Sequence, residues 1–227
     1  MVVFFLSYFS SMIFLSRISE FLSHVFLVPE EPSSFQELFI DKNRYYLEQM
    51  GEFWQLSGAF IALKYTWDLK KELEAYKYHS QKHKKELFVP ILQECFDMFC
   101  LENTDNNTLI TTVPVHIFSY IKRWYNHSEI LAEHLAISHD LTFLKLLKKT
   151  RFTKHQARLA KTHRLRNVRN SFSVRKKYIS SLVGKDIIIV DDVISTGSTV
   201  NECARVLRAC GAKRIFWLFL ATSEYIS

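Results

Sequence analysis

Only five glycines and four prolines punctuate the 227 residues, too few for a loop-dominated chain. The four cysteines, at positions 95, 100, 203 and 210, include no C-x-x-C pair, so zinc-ribbon spacing is missing. Scattered in this way, they read as reduced, inert thiols of a cytoplasmic protein. No internal repeat and no low-complexity tract is present. Acid is in deficit: 23 Asp and Glu stand against 30 Lys and Arg, for a formal net charge of +7. That balance suits an anionic partner such as phosphate, nucleotide, nucleic acid or an acidic membrane surface, though a general basic bias would produce it too. What is abundant is apolar. Hydrophobic residues make up 48% and aromatics 15%, including 19 Phe, which is globular composition with material for a large core.

The N-terminal segment, "MVVFFLSYFSSMIFLSRISEFLSHVFLV", is apolar but broken by serines, Arg17, Glu20 and His24. Its longest uncharged run, residues 1–16, falls short of the roughly 20 residues a spanning helix needs. No basic flank precedes it and no small-residue cleavage pattern follows. Three readings stay open: an amphipathic helix that is buried or faces a partner, a helix on a membrane surface through residues 1–28, and a signal or spanning segment. "PEEPSS" then marks a break. The pattern predicts helices over 35–50, 68–78 and 81–100, and a strand or hairpin over 54–65. His79 and His83 share a helix face at i,i+4, but no third ligand is near, and a solvated face accounts for them.

After the turn "TDNN" the grammar changes. "TLITTVPV" reads as a short buried strand, "SEILAEHLAIS" as a helix, and "LTFLKLL" as a second strand. Residues 150–177 are polar and strongly basic. Strand "DIIIV", helix "TVNECARVLRAC", a stop at Gly211 and strand "RIFWLFLAT" complete the chain. This alternation predicts βαβ units and an α/β fold with a Rossmann-like, mostly parallel sheet, preceded by a helical and aromatic N-terminal extension. The expected division is an extension over 1–50 and one domain over 51–227, with an insertion at about 148–180.

The stretch "IIIVDDVISTGSTV" carries the most chemistry. In a parallel sheet, ligands bind at the carboxyl ends of strands, where Asp191 and Asp192 are expected. The following helix starts with unpaired N–H groups and a partial positive charge, which suits a phosphate. Ser195, Thr196, Ser198 and Thr199 add hydroxyl donors, and Gly197 lets the backbone approach closely. Two acids do not help to hold a phosphate. They make sense if they accept hydrogen bonds from sugar hydroxyls or help hold a hydrated metal. The combination is a cradle for a ribose 5-phosphate; the plainer reading is a strand whose acids merely cap the next helix.

These residues carry a resemblance. "IIIVDDVISTGSTV" is similar to the phosphoribosyl-pyrophosphate (PRPP) signature of type I phosphoribosyltransferases. "VPVHIFSYIKRWYNHSEILAEHLA", "FTKHQARLAKTHRLRNVRNSF", "LKKELEAYKYH" and "GAKRIFWLFLAT" narrow it to the ComF family. The resemblance implies PRPP as substrate, Mg²⁺ as cofactor, and transfer of ribose 5-phosphate to a small-molecule acceptor. It assigns Asp191 and Asp192 to the ribose hydroxyls and catalysis, and Ser195, Thr196, Gly197, Ser198 and Thr199 to the 5-phosphate. Mg²⁺ would be held through PRPP, with Asp191 and Asp192 assisting, rather than in a protein cage. The loop with His116, Lys122 and Arg123 is the pyrophosphate cradle, or a solvated basic turn; Asn126 and Ser128 serve equally as helix-start caps. The basic insertion reads as a hood over the site, with Gln156, Arg164, Arg166 and Asn167 facing substrate, as a solvated charged face, or as a nucleic-acid contact.

Two departures stand out. The first fifty residues contain no Cys, so the zinc-binding-like segment common in the family is not expected. Trp124 stands where the family tends to have Gly, removing backbone freedom and adding bulk. A rival to catalysis is an accessory protein that binds PRPP or a nucleotide and serves DNA uptake (genetic competence), with single-stranded DNA or the uptake machinery as partner. A homodimer is an open assembly state.

Overall fold

The computed structural model describes residues 57–64, 67–78, 85–99, 107–114, 126–151, 168–194 and 197–222. The expected N-terminal extension and its three readings lie outside the described residues. In chain order the elements are β1 (Gly58–Lys64), α1 (Trp67–Tyr78), α2 (Lys85–Phe99), β2 (Thr108–Thr112), α3 (His127–Ser138), β3 (Thr142–Phe143), β4 (Leu147–Lys149), β5 (Phe172–Val174), a 3-10 turn (Lys176–Tyr178), α4 (Ile179–Leu182), β6 (Asp186–Ile194), α5 (Ser198–Ala209) and β7 (Arg214–Thr222).

Five strands form one sheet in the order β1-β7-β6-β2-β3, and every neighbouring pair is parallel. The apolar runs of β6 and β7 follow from burial on both faces. Ile188 and Val190 of β6, with Phe216 and Leu218 of β7, pack under α1, α2 and α3. Ile187 and Ile189, with Ile215, Trp217 and Phe219, face the opposite layer, made by α5, α4 and the β4–β5 pair. Trp217 is wholly buried and stacks on Phe219 at 5.0 Å between ring centroids. At the amino end of the central pair, Asp186 is buried and accepts two bonds from the Arg214 guanidinium on one oxygen, at 3.0 and 2.6 Å.

Two strand expectations change. "LTFLKLL" does not form one strand. Its first part pairs with β2 as β3; its last residue opens β4, which pairs antiparallel with β5 in a second sheet. Local hydrogen bonding bends the chain between them. Leu144 N donates to Ile110 O (2.9 Å), Leu146 N to Leu144 O (2.8 Å) and to Thr111 Oγ1 (3.2 Å). The Ile-rich strand does not stop at its acids either: β6 runs through Asp191 and Asp192 to Ile194, still paired with β7.

α2 and α3 are joined at one end by His139. Its Nδ1 lies 2.9 Å from Leu135 O and its Nε2 lies 2.7 Å from Asp97 Oδ1, with the ring against Phe96. A neutral imidazole has one N–H, so only the imidazolium donates to both acceptors. Burial opposes that charge, but the Asp97 hydrogen bond, the Leu135 carbonyl and the Asp97 charge outweigh it, and the His139 pKa is raised. A raised folded pKa means that the contribution is complete below the unfolded value and is lost as pH rises through the folded one. Asp97 is largely exposed, so the effect is modest, about 1 kcal/mol or less. Denaturant unfolding of the protein and of His139→Gln is therefore expected to converge as pH rises from about 6 to about 9. A gap that stays constant across that range would contradict the ion pair.

Candidate functional site

The carboxyl ends of β2 and β6 are neighbours in the sheet, with Thr112 opposite Val190. Asp191 and Asp192 follow, half-buried, where β6 leaves its covered stretch. Each carboxylate first satisfies the chain beside it. Asp191 Oδ1 accepts from Asp192 N (2.9 Å), and Asp192 Oδ1 accepts from Val193 N (2.6 Å). Asp191 Oδ1 also accepts from Ser128 Oγ at 2.8 Å.

Ser128 is placed by the start of α3. Asn126 is the N-cap, in extended backbone, and its Oδ1 accepts from Ser128 N (3.2 Å). Asn126 Nδ2 donates to Val113 O (3.4 Å), tying the helix start to the chain that leaves β2. Of the two caps foreseen, Asn126 holds the helix while Ser128 turns its hydroxyl to the acid pair. Between them His127 is buried, with Nε2 2.6 Å from Tyr76 O and its ring edge-on to Tyr76 at 4.6 Å. α1 thereby supports the start of α3, a contact between residues 51 apart with no local sequence signal.

The second helix start is that of α5. Gly197 is its N-cap at φ +66, a left-handed conformation that suits glycine, and it brings no side chain to cap the first turn. Ser198 is buried and Thr199 half-buried in that turn, and Asn201 N donates to Gly197 O at 2.9 Å. Behind it lies Cys203, fully buried, its thiol pushed well up by burial and then by the Asp191 charge. It is a neutral packing group, as expected of an inert thiol.

One cluster had not been foreseen. Glu202 of α5 is buried and accepts from Asn170 N (2.7 Å) and from the Arg205 fork (2.9 and 2.7 Å). Arg205 also donates to Asn170 Oδ1 at 3.2 Å, and Asn170 is left-handed at φ +59. Burial alone would raise the Glu202 pKa, but the Arg205 hydrogen bond, the Asn170 amide and the Arg205 charge hold it below its usual value. Asn170 closes the basic insertion, so the insertion's return leg is fixed to the helix that begins at Gly197. The E-x-x-R spacing was the available signal, and it reads as an ordinary surface pair until Asn170 is placed.

Asp191 and Asp192 are thus set near the carboxyl end of β6, and Gly197, Ser198 and Thr199 at the start of the helix that follows it. Ser195 and Thr196 lie outside the described residues. So do His116, Lys122, Arg123 and Trp124 of the early loop, Gln156, Arg164, Arg166 and Asn167 of the insertion, and His79 and His83. Among the described residues no group of three or more His, Cys, Asp or Glu gathers to hold a metal. Among the same residues, no helix is long and apolar enough to cross a membrane.

Residues 125–222 match the family model of the phosphoribosyl transferase domain. Competence protein F of Haemophilus influenzae is 33% identical over 107 residues, 47% of this chain and 46% of that protein. The DNA utilization protein YhgH of Escherichia coli K12 is 33% identical over 107 residues, 47% of this chain and 45% of that protein. The chain matches just under half the length of these relatives. Among solved structures, an allosteric regulatory enzyme of purine biosynthesis aligns over 64% of this chain and 29% of its own, at 18% identity and a TM-score of 0.41.

Ser128→Ala is expected to destabilise the protein by about 1–2 kcal/mol, since it removes a donor from a half-buried carboxylate. Ser128→Thr keeps the hydroxyl and is expected to restore most of that loss. Urea unfolding of the full chain measures both, and equal loss in the two variants would show that the hydroxyl contributes nothing.

Proposed function

We propose, for a chain that belongs to the ComF family of type I phosphoribosyltransferase-like proteins, that its acid pair and the start of α5 bind the ribose 5-phosphate of PRPP for transfer to a nitrogen nucleophile. The observation that carries this reading is the shared node at the ends of β2 and β6. There Ser128 orients Asp191 beside Asp192, on the strand that leads into the Gly197 helix start. The amides of that start, with Ser198 and Thr199, suit a dianionic phosphate. Asp191 and Asp192 suit the two ribose hydroxyls as acceptors.

In the reaction, the bond between ribose C1 and the pyrophosphate oxygen breaks and pyrophosphate leaves with the electron pair. The nucleophile's nitrogen bonds to C1 and loses a proton. Positive charge builds on the ring in between, as in glycosyl transfer generally. In this reading the carboxylates of Asp191 and Asp192 stabilise that charge, and the hydrogen bonds that already orient them support the assignment. Two adjacent carboxylates fit a hydrated Mg²⁺ held mainly by substrate oxygens. Bound there, Mg²⁺ would neutralise charge on the leaving pyrophosphate. The early loop with His116, Lys122 and Arg123 is the proposed cradle for that group.

Asp191→Ala combined with Asp192→Ala is expected to weaken calorimetric binding of Mg-PRPP by about 100-fold or more, since two charge-assisted contacts are lost. Unchanged binding in a folded variant would refute the assignment.

A second reading, service to single-stranded DNA, is favoured by the names of the two relatives and by exposed cations at the legs of the insertion: Lys148, Arg151, Arg169 and Lys176. If DNA binds there, log affinity for a single-stranded oligonucleotide is expected to fall with log salt by about 0.7 per phosphate contacted, measured by fluorescence anisotropy. A flat dependence would dismiss this partner.

A further inference from the structure

At the edge of the sheet, a cleft of about 380 Å³ opens between Glu133 of α3, the bend at Phe143, Leu144 and Lys145, and the 3-10 segment at Arg175, Lys177 and Tyr178. We propose that this cleft is a second anion site, separate from the start of α5, that takes a nucleoside phosphate. The inference stands apart from the reading of the acid pair.

Charge comes first. Three cations face one acid across the cleft. Arg175 uses Nε on Leu147 O (3.3 Å), and Lys177 lies 4.6 Å over the Tyr178 ring. No carboxylate among the described residues pairs with either. Lys145 is already paired with Glu129, but Arg175 and Lys177, without a carboxylate partner among the described residues, converge on one concavity and favour an anion, and guanidinium with ammonium suits a phosphate.

Pre-organisation comes second. The two segments that supply these groups are held by backbone bonds rather than hanging as free loops. Leu144 N and Leu146 N are tied to β2, Arg175 N donates to Leu146 O (2.8 Å), and Tyr178 N donates to Arg175 O (2.9 Å). A site whose frame is already fixed loses little ordering entropy when ligand arrives.

Shape comes third. The volume exceeds what an inorganic phosphate needs and falls in the lower range of small-molecule sites. Phe143, Leu144 and Tyr178 give an apolar wall, and Glu133 gives an acceptor. A ligand with an anionic end, a flat apolar end and a hydroxyl or amino donor matches all three, and that is a nucleoside phosphate.

The cleft also connects to the acid pair. Lys145 pairs with Glu129 at 2.7 Å, and Glu129 is the residue after Ser128, which donates to Asp191. A phosphate that competes with Glu129 for Lys145 would act on the first turn of α3, and so on the orientation of Asp191.

The test is calorimetric titration of ATP into the full-length protein with ribose 5-phosphate at saturation. One ATP per chain is expected to bind. Arg175→Ala combined with Lys177→Ala is expected to weaken it at least about tenfold, with the unfolding midpoint unchanged. Phe143→Ala should weaken ATP but not inorganic pyrophosphate. Three results would overturn the proposal: ATP fully displaced by ribose 5-phosphate, ATP binding untouched in the double variant, or pyrophosphate binding as tightly as ATP. A single-stranded oligonucleotide that displaces ATP more strongly as it lengthens would replace the small-molecule site with a polymer track, and the proposal would fall. If ribose 5-phosphate itself fails to bind, the acid-pair reading fails, while the double variant still decides this one.

Discussion

Burial on both faces of the central strand β6 constrains everything around it. From Asp186 to Val190 each side chain is covered, alternately by the α1–α3 layer and by the α5 layer. A charge within such a strand is costly unless it is paired. The chain obeys this at both ends. At the amino end the buried Asp186 meets the Arg214 fork from the next strand. At the carboxyl end two adjacent acids appear only where the covering layers recede, and backbone amides and the Ser128 hydroxyl meet them. The polar chemistry of the domain is therefore confined to the rim by the packing of its core.

Helix starts extend the same logic. Asn126 Nδ2 ties the start of α3 to Val113 O, just past the end of β2, and α5 starts at Ser198, four residues after β6 ends at Ile194. The start of α3 has its own cap in Asn126 and turns the Ser128 hydroxyl, two residues on, to Asp191. The start of α5 has Gly197 as its N-cap, in a left-handed conformation and with no side-chain cap. The two starts thus differ: one orients an acid through a side chain, and the other carries no side-chain cap.

The insertion shows how secondary contacts give a site its walls. Its two legs are β4 and β5, and the return leg is anchored by Asn170 on Glu202 and Arg205. Lys149, half-buried between these layers with its ammonium 5.6 Å from the Phe172 ring, has its pKa lowered by burial. The same bend that moves the chain from β3 to β4 opens the edge cleft with Lys145, Arg175 and Lys177. A departure from regular strand geometry therefore shapes this concavity.

Much of this was legible in residue order. Unbroken apolar runs in "DIIIV" and "RIFWLFLAT", alternating with helical periods, announced a sheet covered on both faces, and two acids after "IIIV" announced where β6 leaves its fully covered stretch. Those signals are local: they depend on strand and helix periods and on the preferences of helix starts, which residues express wherever they are placed. Three things were not legible, because each joins residues far apart along the chain. Ser128 meets Asp191 across 63 residues, Glu202 meets Asn170 across 32, and His127 meets Tyr76 across 51. Sequence by itself determined the layers, the strand that carries the acids and the residue types at the site. Only the tertiary structure decided which serine orients which aspartate, where the chain breaks "LTFLKLL" into two strands, and that an edge cleft exists, since those outcomes depend on how whole layers pack and not on any neighbour in sequence.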